Sequence, residues 1–429
     1  MKTTATNTLT LPESCPDLPD HLRMTMVEPL IWNDRLFKVY VKVDGRVGEV
    51  AVSLQEMDPG TLTDLGELRP VGRIHCETRD YPGYYSTPLI SSHDGSFLAY
   101  VVTFLSDEDG QGIVLAMVVD KELKPVWSKA SSIPLKAWKF LRSEVKVDGR
   151  GNVLFSVIEL AHAVDYTPHA DSRVATRLFQ LNEQGVREVD VRLPSGLSPE
   201  NMAMCSMSDG VVIGGYSTRG KGGRREPPST FLGRVDANSA SFELLMENEL
   251  AEPISGWIPQ IELLQKNNGG YYLVGAVATL REVNSIHVQS ISSSSNSEWQ
   301  WVIPRKHGNL SDRYDFKAYS NSDKLSVVFE ETAKNFERLS IGEPVAFRSE
   351  ISSLLLCRAD FSDEGRPTYV KYEDNNWNGA FTLASLNKSR SLESGEQMVV
   401  IPETPRDFVG PVRLGFIEVK HGDLIRNGR

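Results

Sequence analysis

The chain has 429 residues, of which 40% are apolar and 24% are charged, and its formal net charge is -11. This composition is typical of a folded globular protein and excludes a disordered or disulfide-framework chain. The acidic balance argues against binding to nucleic acid or to an anionic membrane, because both need a basic surface.

The N-terminal segment and the cysteines bear on localisation and on metal binding. Residues 1–14 carry one lysine and no apolar core, so no signal peptide is visible, and no apolar run is long enough to span a membrane. The four cysteines are far apart and lack the spacing of metal ligands. We therefore expect a chain that is cytoplasmic, or secreted with its signal removed, and that has no metal and no cofactor.

The first predicted elements set a pattern that continues to the end of the chain. A polar turn at 33–34 precedes the strand-like run 37–43, and a further apolar run, 50–58, ends in another polar turn. Asn, Asp and Gly supply the positive φ angles that tight hairpins need. The pattern predicts a unit of strand, tight turn, strand, variable loop, strand, turn and strand.

This unit recurs about every 60 residues. Each later turn precedes a run rich in Val, Ile, Phe and Tyr, and a second series of apolar runs also gives seven units. The later turns lie at 94–95, 148–149, 209–210, 267–269, 322–323 and 394–395.

The repeat resembles the β-propeller architecture in general, in which four-stranded units are arranged radially. WD, kelch and Asp-box signatures are absent, so no particular propeller family is matched. The resemblance implies one all-β domain, a seven-bladed β-propeller of four-stranded antiparallel blades, with a sandwich array or a β-solenoid as the alternative. The expected blades are residues 26–68, 86–129, 139–193, 202–247, 258–303, 314–372 and 381–420.

The last unit contains only three clear strands. Residues 4–11, TATNTLTL, alternate in polarity and are predicted to add the outer strand of the last blade. An unpaired edge there would be a liability, so this strand would tie the two ends of the chain together.

The long loops are expected on one face, where they would bind a partner. Aromatic residues could line that face or pack between blades, histidines lie in loop 161–175, and arginines lie in the basic loop 219–229. The acidic loop 105–112 lacks the third spaced ligand of a calcium loop, and whether it binds a cation stays open. The predicted binding residues are Tyr84, Tyr85, Trp138, Trp257, Trp377, His162, His169, Arg224 and Arg225.

Three functions follow from this pattern. The first is a non-catalytic binding or scaffold protein that presents the loop-rich, aromatic-lined face to a protein or glycan partner. The second is a carbohydrate-active propeller enzyme, in which Glu144, Glu262 and Asp315 on first strands would face the channel as acid and nucleophile. The third is a structural subunit of a larger assembly. The sequence does not indicate an oligomeric state.

Overall fold

A computed structural model of the chain describes most of its strands and turns. Within the described residues, no helix has the length and apolar character that a membrane crossing requires. The described residues are 6–9, 24–33, 35–44, 49–58, 63–75, 84–86, 89–105, 111–134, 139–160, 173–207, 210–218, 229–250, 258–278, 282–308, 316–321, 324–346, 354–371, 385–391, 396–402 and 412–418.

These residues form seven antiparallel sheets, six of them four-stranded. Sheet 1 contains β2 (Met24–Trp32), β3 (Arg35–Asp44), β4 (Glu49–Met57) and β5 (Asp64–His75). Sheet 2 has five strands, β6 (Tyr84–Ser86), β7 (Ile90–Ser91), β8 (Phe97–Leu105), β9 (Gln111–Asp120) and β10 (Pro125–Pro134). Sheet 3 contains β11 (Lys139–Val147), β12 (Val153–Leu160), β13 (Arg173–Asn182) and β14 (Gly185–Val189).

The second half of the chain continues in the same way. Sheet 4 contains β15 (Ser198–Met207), β16 (Gly210–Thr218), β17 (Ser229–Asp236) and β18 (Phe242–Glu249). Sheet 5 contains β19 (Ile261–Gln265), β20 (Tyr271–Ala278), β21 (Glu282–Ile291) and β22 (Ser297–Gly308). Sheet 6 contains β23 (Phe316–Asn321), β24 (Lys324–Thr332), β25 (Leu354–Phe361) and β26 (Pro367–Lys371). Sheet 7 contains β27 (Ser385–Ser391), β28 (Glu396–Pro402), β29 (Val412–Glu418) and β1 (Thr6–Leu9).

The prediction of an all-β chain built from repeated four-stranded antiparallel sheets is therefore confirmed. The strand β1 pairs with β29, with Thr6 opposite Gly415 and Leu9 opposite Val412. The first strands of sheets 3 to 7 contact one another in succession, and β2 of sheet 1 contacts β27 of sheet 7. The repeat is propeller-like in these respects.

The recurring polar turns are held by their own side chains. Asp148 accepts hydrogen bonds from the backbone N–H groups of Arg150 and Asn152, both at 2.9 Å, and Gly151 has a φ of 78°. In sheet 2, Asp94 accepts from the N–H of Ser96 at 3.1 Å. The aspartate replaces the hydrogen bonds that the tight turn leaves unmade, and the glycine supplies the left-handed angle. This is the physical basis of the repeat seen in the sequence.

The apolar core lies between consecutive sheets. Five clusters of buried side chains each join two neighbours: sheets 1 and 2, 2 and 3, 3 and 4, 4 and 5, and 5 and 6. On the first two junctions an indole also crosses the gap. Trp32 Nε1 donates to the carbonyl of Gly95 in sheet 2, and Trp127 Nε1 donates to that of Gly151 in sheet 3, both at 3.0 Å.

One helix is found in the described part of the chain. It is α1 (Ala333–Ser340), and it follows directly after β24. The hydroxyl of Thr332 caps it by accepting from the N–H of Asn335 at 3.3 Å.

Candidate functional site

The first strand of sheet 3 carries an ion pair at a point where its backbone is irregular. The register of β11 against β12 shifts between Arg142 and Glu144, which is a β-bulge. Bulges re-aim side chains and are frequent beside functional sites. Beyond it, Glu144 and Lys146 are two residues apart, so both point to one face of the strand. Glu144 Oε1 lies 3.0 Å from Lys146 Nζ.

The other carboxylate oxygen of Glu144 reaches the next sheet. It accepts a hydrogen bond from the backbone N–H of Met204 in β15. The side chain of Glu144 is nevertheless 21% exposed, and that of Lys146 is 34% exposed. The pair is thus held on two sides and still faces solvent, a position in which it could contact a small molecule.

The first strands of sheets 5 and 6 repeat this arrangement. Glu262 in β19 lies 2.9 Å from Lys317 Nζ in β23 through Oε1, and its Oε2 accepts from the N–H of Ala318 at 2.9 Å. The carboxylate is again shared between a lysine and a backbone donor of the neighbouring sheet. We call Glu144, Lys146, Glu262 and Lys317 the first-strand ion pairs.

The charge of Glu262 acts on both members of the first pair and contributes to the pKa shifts of Glu144 and Lys146. Burial raises the pKa of Glu144 above its ordinary value of 4.5, against the attraction of Lys146 and the hydrogen bond from Met204, and the negative charge of Glu262 raises it further. Burial opposes the charge of Lys146, but Glu144 and then Glu262 outweigh it, so the pKa of Lys146 is raised as well. A carboxyl with a raised pKa and partial solvent access is suited to general acid–base catalysis.

A thiol lies beside the first pair. Cys205 in β15 is half-buried, and its pKa is raised by burial, with Lys146 lowering it and Glu144 raising it again. Met207 and Ile261 are also partly buried here and pack on the core of sheets 4 and 5. The described first strands therefore carry paired charges of both signs.

No group of three or more His, Cys, Asp or Glu side chains that could hold a metal ion occurs among the described residues. The only histidine described in the core of sheets 4 and 5 is His287, which bonds Tyr216. The acidic loop 105–112 lies mostly outside the described residues, so the question of a cation there stays as the sequence left it.

The structure describes two of the three carboxylates predicted to face a channel. Glu144 and Glu262 are on first strands, and each is bridged to a lysine. Asp315 lies outside the described residues, as do Trp138, Trp257, Trp377, His162, His169, Arg224 and Arg225. Tyr84 and Tyr85 are in the short strand β6, which pairs with β8, but their side chains are outside the described part. Those binding residues remain predictions.

Sequence reasoning missed Lys146, Lys317 and Cys205. The Glu-x-Lys spacing at 144–146 was available as a signal, because alternate residues of a strand share a face. Lys317 is 55 residues from Glu262, and only the alignment of neighbouring sheets brings the two together.

Comparison with known proteins gives structural matches only. No protein-family model matches the sequence, and no curated protein does. A mutant of Synechocystis apocarotenoid oxygenase matches with 9% identity over 91% of this chain and 71% of that chain, at a TM-score of 0.34. A chimera of this oxygenase with RPE65 matches with 10% identity over 92% and 73%, at 0.35. A Dyadobacter fermentans protein of unknown function matches with 8% identity over 79% and 95%, at 0.41.

These matches correct the predicted function. The matched proteins with a stated activity are oxygenases, and this contradicts a non-catalytic scaffold for a protein or glycan partner. That prediction is wrong, and its two alternatives, the carbohydrate-active enzyme and the assembly subunit, gain no support from the matches.

Proposed function

We propose that the seven sheets are the blades of one closed propeller, with the first strands lining a central channel. The succession of contacts between first strands, and the contact of β2 with β27, support this arrangement. The pairing of β1 with β29 supports an N-terminal strand that completes the last blade. The blades would follow the boundaries expected from the sequence, and the first-strand ion pairs would then face the channel.

Within that channel we propose an enzymatic function: the binding of a small polar substrate and the transfer of a proton by the carboxyl of Glu144. One observation carries the proposal. Glu144 is fixed by Lys146 and by the N–H of Met204, yet its side chain keeps 21% exposure and its pKa is raised. A carboxyl whose surroundings raise its pKa is a recurring feature of acid–base sites.

Each neighbouring group has a part in this chemistry. The ammonium group of Lys146, 3.0 Å from Glu144, would stabilise negative charge on the substrate while the carboxyl is protonated. The N–H of Met204 fixes the direction of the carboxyl, so that the proton is delivered at one atom. Glu262, which is paired with Lys317, raises the pKa of Glu144 through its charge and so favours the protonated form of Glu144.

A ligand screen tests this function directly. The wild type, Glu144→Gln and Lys146→Met are heated with a panel of small polar metabolites, and the melting temperature is recorded for each. We expect at least one compound that raises the melting temperature of the wild type and has little effect on either variant. A ligand at 100 times its dissociation constant stabilises a protein by about 2.7 kcal/mol, which gives a shift of several degrees.

The matched control is Glu243→Gln, which removes an exposed carboxylate on the outer strand β18. It should respond to the compound as the wild type does. If no compound of the panel stabilises the wild type, or if Glu144→Gln and Lys146→Met respond as strongly as the control, the proposed site is wrong.

A further inference from the structure

The junction between sheets 4 and 5 contains a buried histidine that the proposed reaction does not use. His287, on β21, is 3% exposed, and Tyr216, on β16, is fully buried. The hydroxyl of Tyr216 lies 2.7 Å from Nδ1 of His287, and the two rings meet edge-on with centroids 5.6 Å apart. This hydrogen bond joins the second strand of one sheet to the third strand of the next.

The surroundings are shaped to let these two rings meet. Gly275 on β20 is directly opposite His287 in the ladder. A Cβ atom at Gly275 would lie 2.7 Å from Cε2 of Tyr216, closer than atoms can pack. The glycine therefore leaves the space through which the Tyr216 side chain crosses the junction.

The described groups that face His287 offer the ring hydrogen bonds but no negative charge. Tyr216 approaches from sheet 4, the side chain of Gln300 on β22 hydrogen-bonds the ring and by itself raises its pKa, and Gly275 on β20 lies opposite it. The carboxylate of this junction, Glu200, acts on Tyr216, and of the groups the structure describes none with a negative charge acts on His287. Burial lowers the pKa of His287 from 6.5 to about 4.

A second tie spans the same junction nearer the first strands. Glu200 Oε1 accepts from the N–H of Ile258 at 3.2 Å, and Asn201 Nδ2 donates to the carbonyl of Ile258 at 2.9 Å. This tie does not involve His287. The junction thus has an inner fastening at Ile258 and an outer fastening at the Tyr216–His287 bond.

We infer that the Tyr216–His287 bond is an acid-sensitive joint, which opens when the imidazole takes up a proton while the inner fastening at Ile258 holds sheets 4 and 5 together. The proton would enter a buried ring with no carboxylate to pair with, and the ring must then turn toward water. In the closed joint the ring is neutral and in the open joint it is solvated, so the open form binds the proton more tightly. Opening therefore becomes easier as the pH falls from 6.5 toward 4.

Hydrogen exchange measured by mass spectrometry on the full chain tests this joint. After correction for the intrinsic pH dependence of exchange, protection of residues 210–218 and 282–291 should fall on the order of 30-fold between pH 7.5 and pH 5.0. Residues 97–105 and 111–120 of sheet 2 serve as the internal reference and should change little. In His287→Gln, which cannot titrate, the pH dependence of 210–218 and 282–291 should be lost.

Two results would overturn the inference. One is protection of the 210–218 and 282–291 strands that does not depend on pH in the wild type. The other is an equal loss in His287→Gln, which would place the titrating group elsewhere. If His287→Gln does not fold, an NMR titration of the wild-type imidazole decides the matter, because a pKa at or above the ordinary 6.5 contradicts a joint closed around the neutral ring.

Discussion

The junctions between neighbouring sheets are made in two different ways. Between sheets 1 and 2, and between sheets 2 and 3, apolar side chains fill the gap, and the indoles of Trp32 and Trp127 donate to the carbonyls of turn glycines. At the later junctions, ionisable side chains also cross the gap between neighbouring sheets. Glu144 does so from sheet 3 to sheet 4, and Glu262 from sheet 5 to sheet 6.

The two kinds of junction should differ in how their stability depends on pH. An indole hydrogen bond and apolar burial change little with pH, whereas a carboxylate or an imidazole changes its charge and its hydrogen bonds. The junctions of sheets 1 and 2 and of sheets 2 and 3 are therefore expected to respond little to pH, whereas those from sheet 3 to sheet 6 contain the groups that could bind, react or titrate. All of these junctions join antiparallel sheets, so the contrast lies in the side chains at the junctions.

The largest effect is expected at an apolar junction. Trp127→Ala removes a buried indole from the core of sheets 2 and 3, and it should lower the free energy of unfolding by about 3 to 5 kcal/mol in urea titrations. Trp127→Phe keeps most of the volume but leaves the carbonyl of Gly151 without its donor, so a loss of about 1 to 2 kcal/mol is expected. Both losses should be equal at pH 5 and pH 8. A strong pH dependence would break the contrast between the two kinds of junction.

A smaller effect is expected at the junction of sheets 4 and 5. Tyr216→Phe deletes the hydroxyl and leaves Nδ1 of His287 buried without its partner, which should lower the free energy of unfolding by about 1 to 3 kcal/mol at pH 7.5. Urea titration measures this loss. A loss below about 0.5 kcal/mol would mean that the bond contributes little to joining the sheets.

At the first-strand ion pairs we expect an effect that depends on pH. In Glu144→Gln the amide oxygen still accepts from Met204 and the side chain stays neutral, so the free energy of unfolding at pH 4 should be within about 1 kcal/mol of the wild type. The pKa of Glu144 is raised in the fold, so its ionisation there is disfavoured, and wild-type stability falls as the pH rises through the folded pKa. The free energy of unfolding of the variant, relative to that of the wild type, should therefore increase between pH 4 and pH 8.

Urea titrations of both proteins across that range measure the gain, with Glu243→Gln as the control for loss of a surface charge. If the free energy of unfolding of the variant falls relative to that of the wild type as the pH rises, ionised Glu144 is favoured by the fold. That outcome would remove the physical basis of an acid–base role for this carboxyl.

The smallest effect is expected at a surface pair in sheet 1. Arg35 and Glu56 are joined by two hydrogen bonds, but the side chain of Arg35 is 47% exposed. Arg35→Gln should lower the free energy of unfolding by less than about 1 kcal/mol, and the loss should shrink in 1 M salt. A larger loss of free energy that salt does not reduce would show that charge pairs also matter for stability in sheet 1.

The repeat could be read from the sequence because its cause is local. Asp148 accepts hydrogen bonds from two backbone N–H groups within the next four residues, so the residues that form a turn are found in one short stretch of sequence. The charged face of β11 was visible in the same way, since Glu144 and Lys146 are alternate residues of one strand. The cap at Thr332 also lies next to the helix that it starts.

The contacts that the sequence did not show depend on how strands are aligned with one another in the fold. The Glu262–Lys317 pair forms between strands of different sheets, and no local spacing in the sequence predicts it. The bulge before Glu144 comes from the pairing of β11 with β12, which the residue pattern does not reveal. The predicted function relied on long loops and their aromatic residues, while the interacting ionisable groups that the structure describes lie on the strands beneath.

The protonation of Glu144 is the most direct test of the proposed reaction. A carbon-13 NMR titration of the glutamate carboxyl groups, with the Glu144 signal assigned by its absence in Glu144→Gln, gives its midpoint in the intact protein. We expect a midpoint clearly above 4.5, the ordinary value for a glutamate. A midpoint at or below that value would mean that Lys146 and Met204 hold Glu144 permanently ionised as a structural link, and it would contradict the proposed acid–base site.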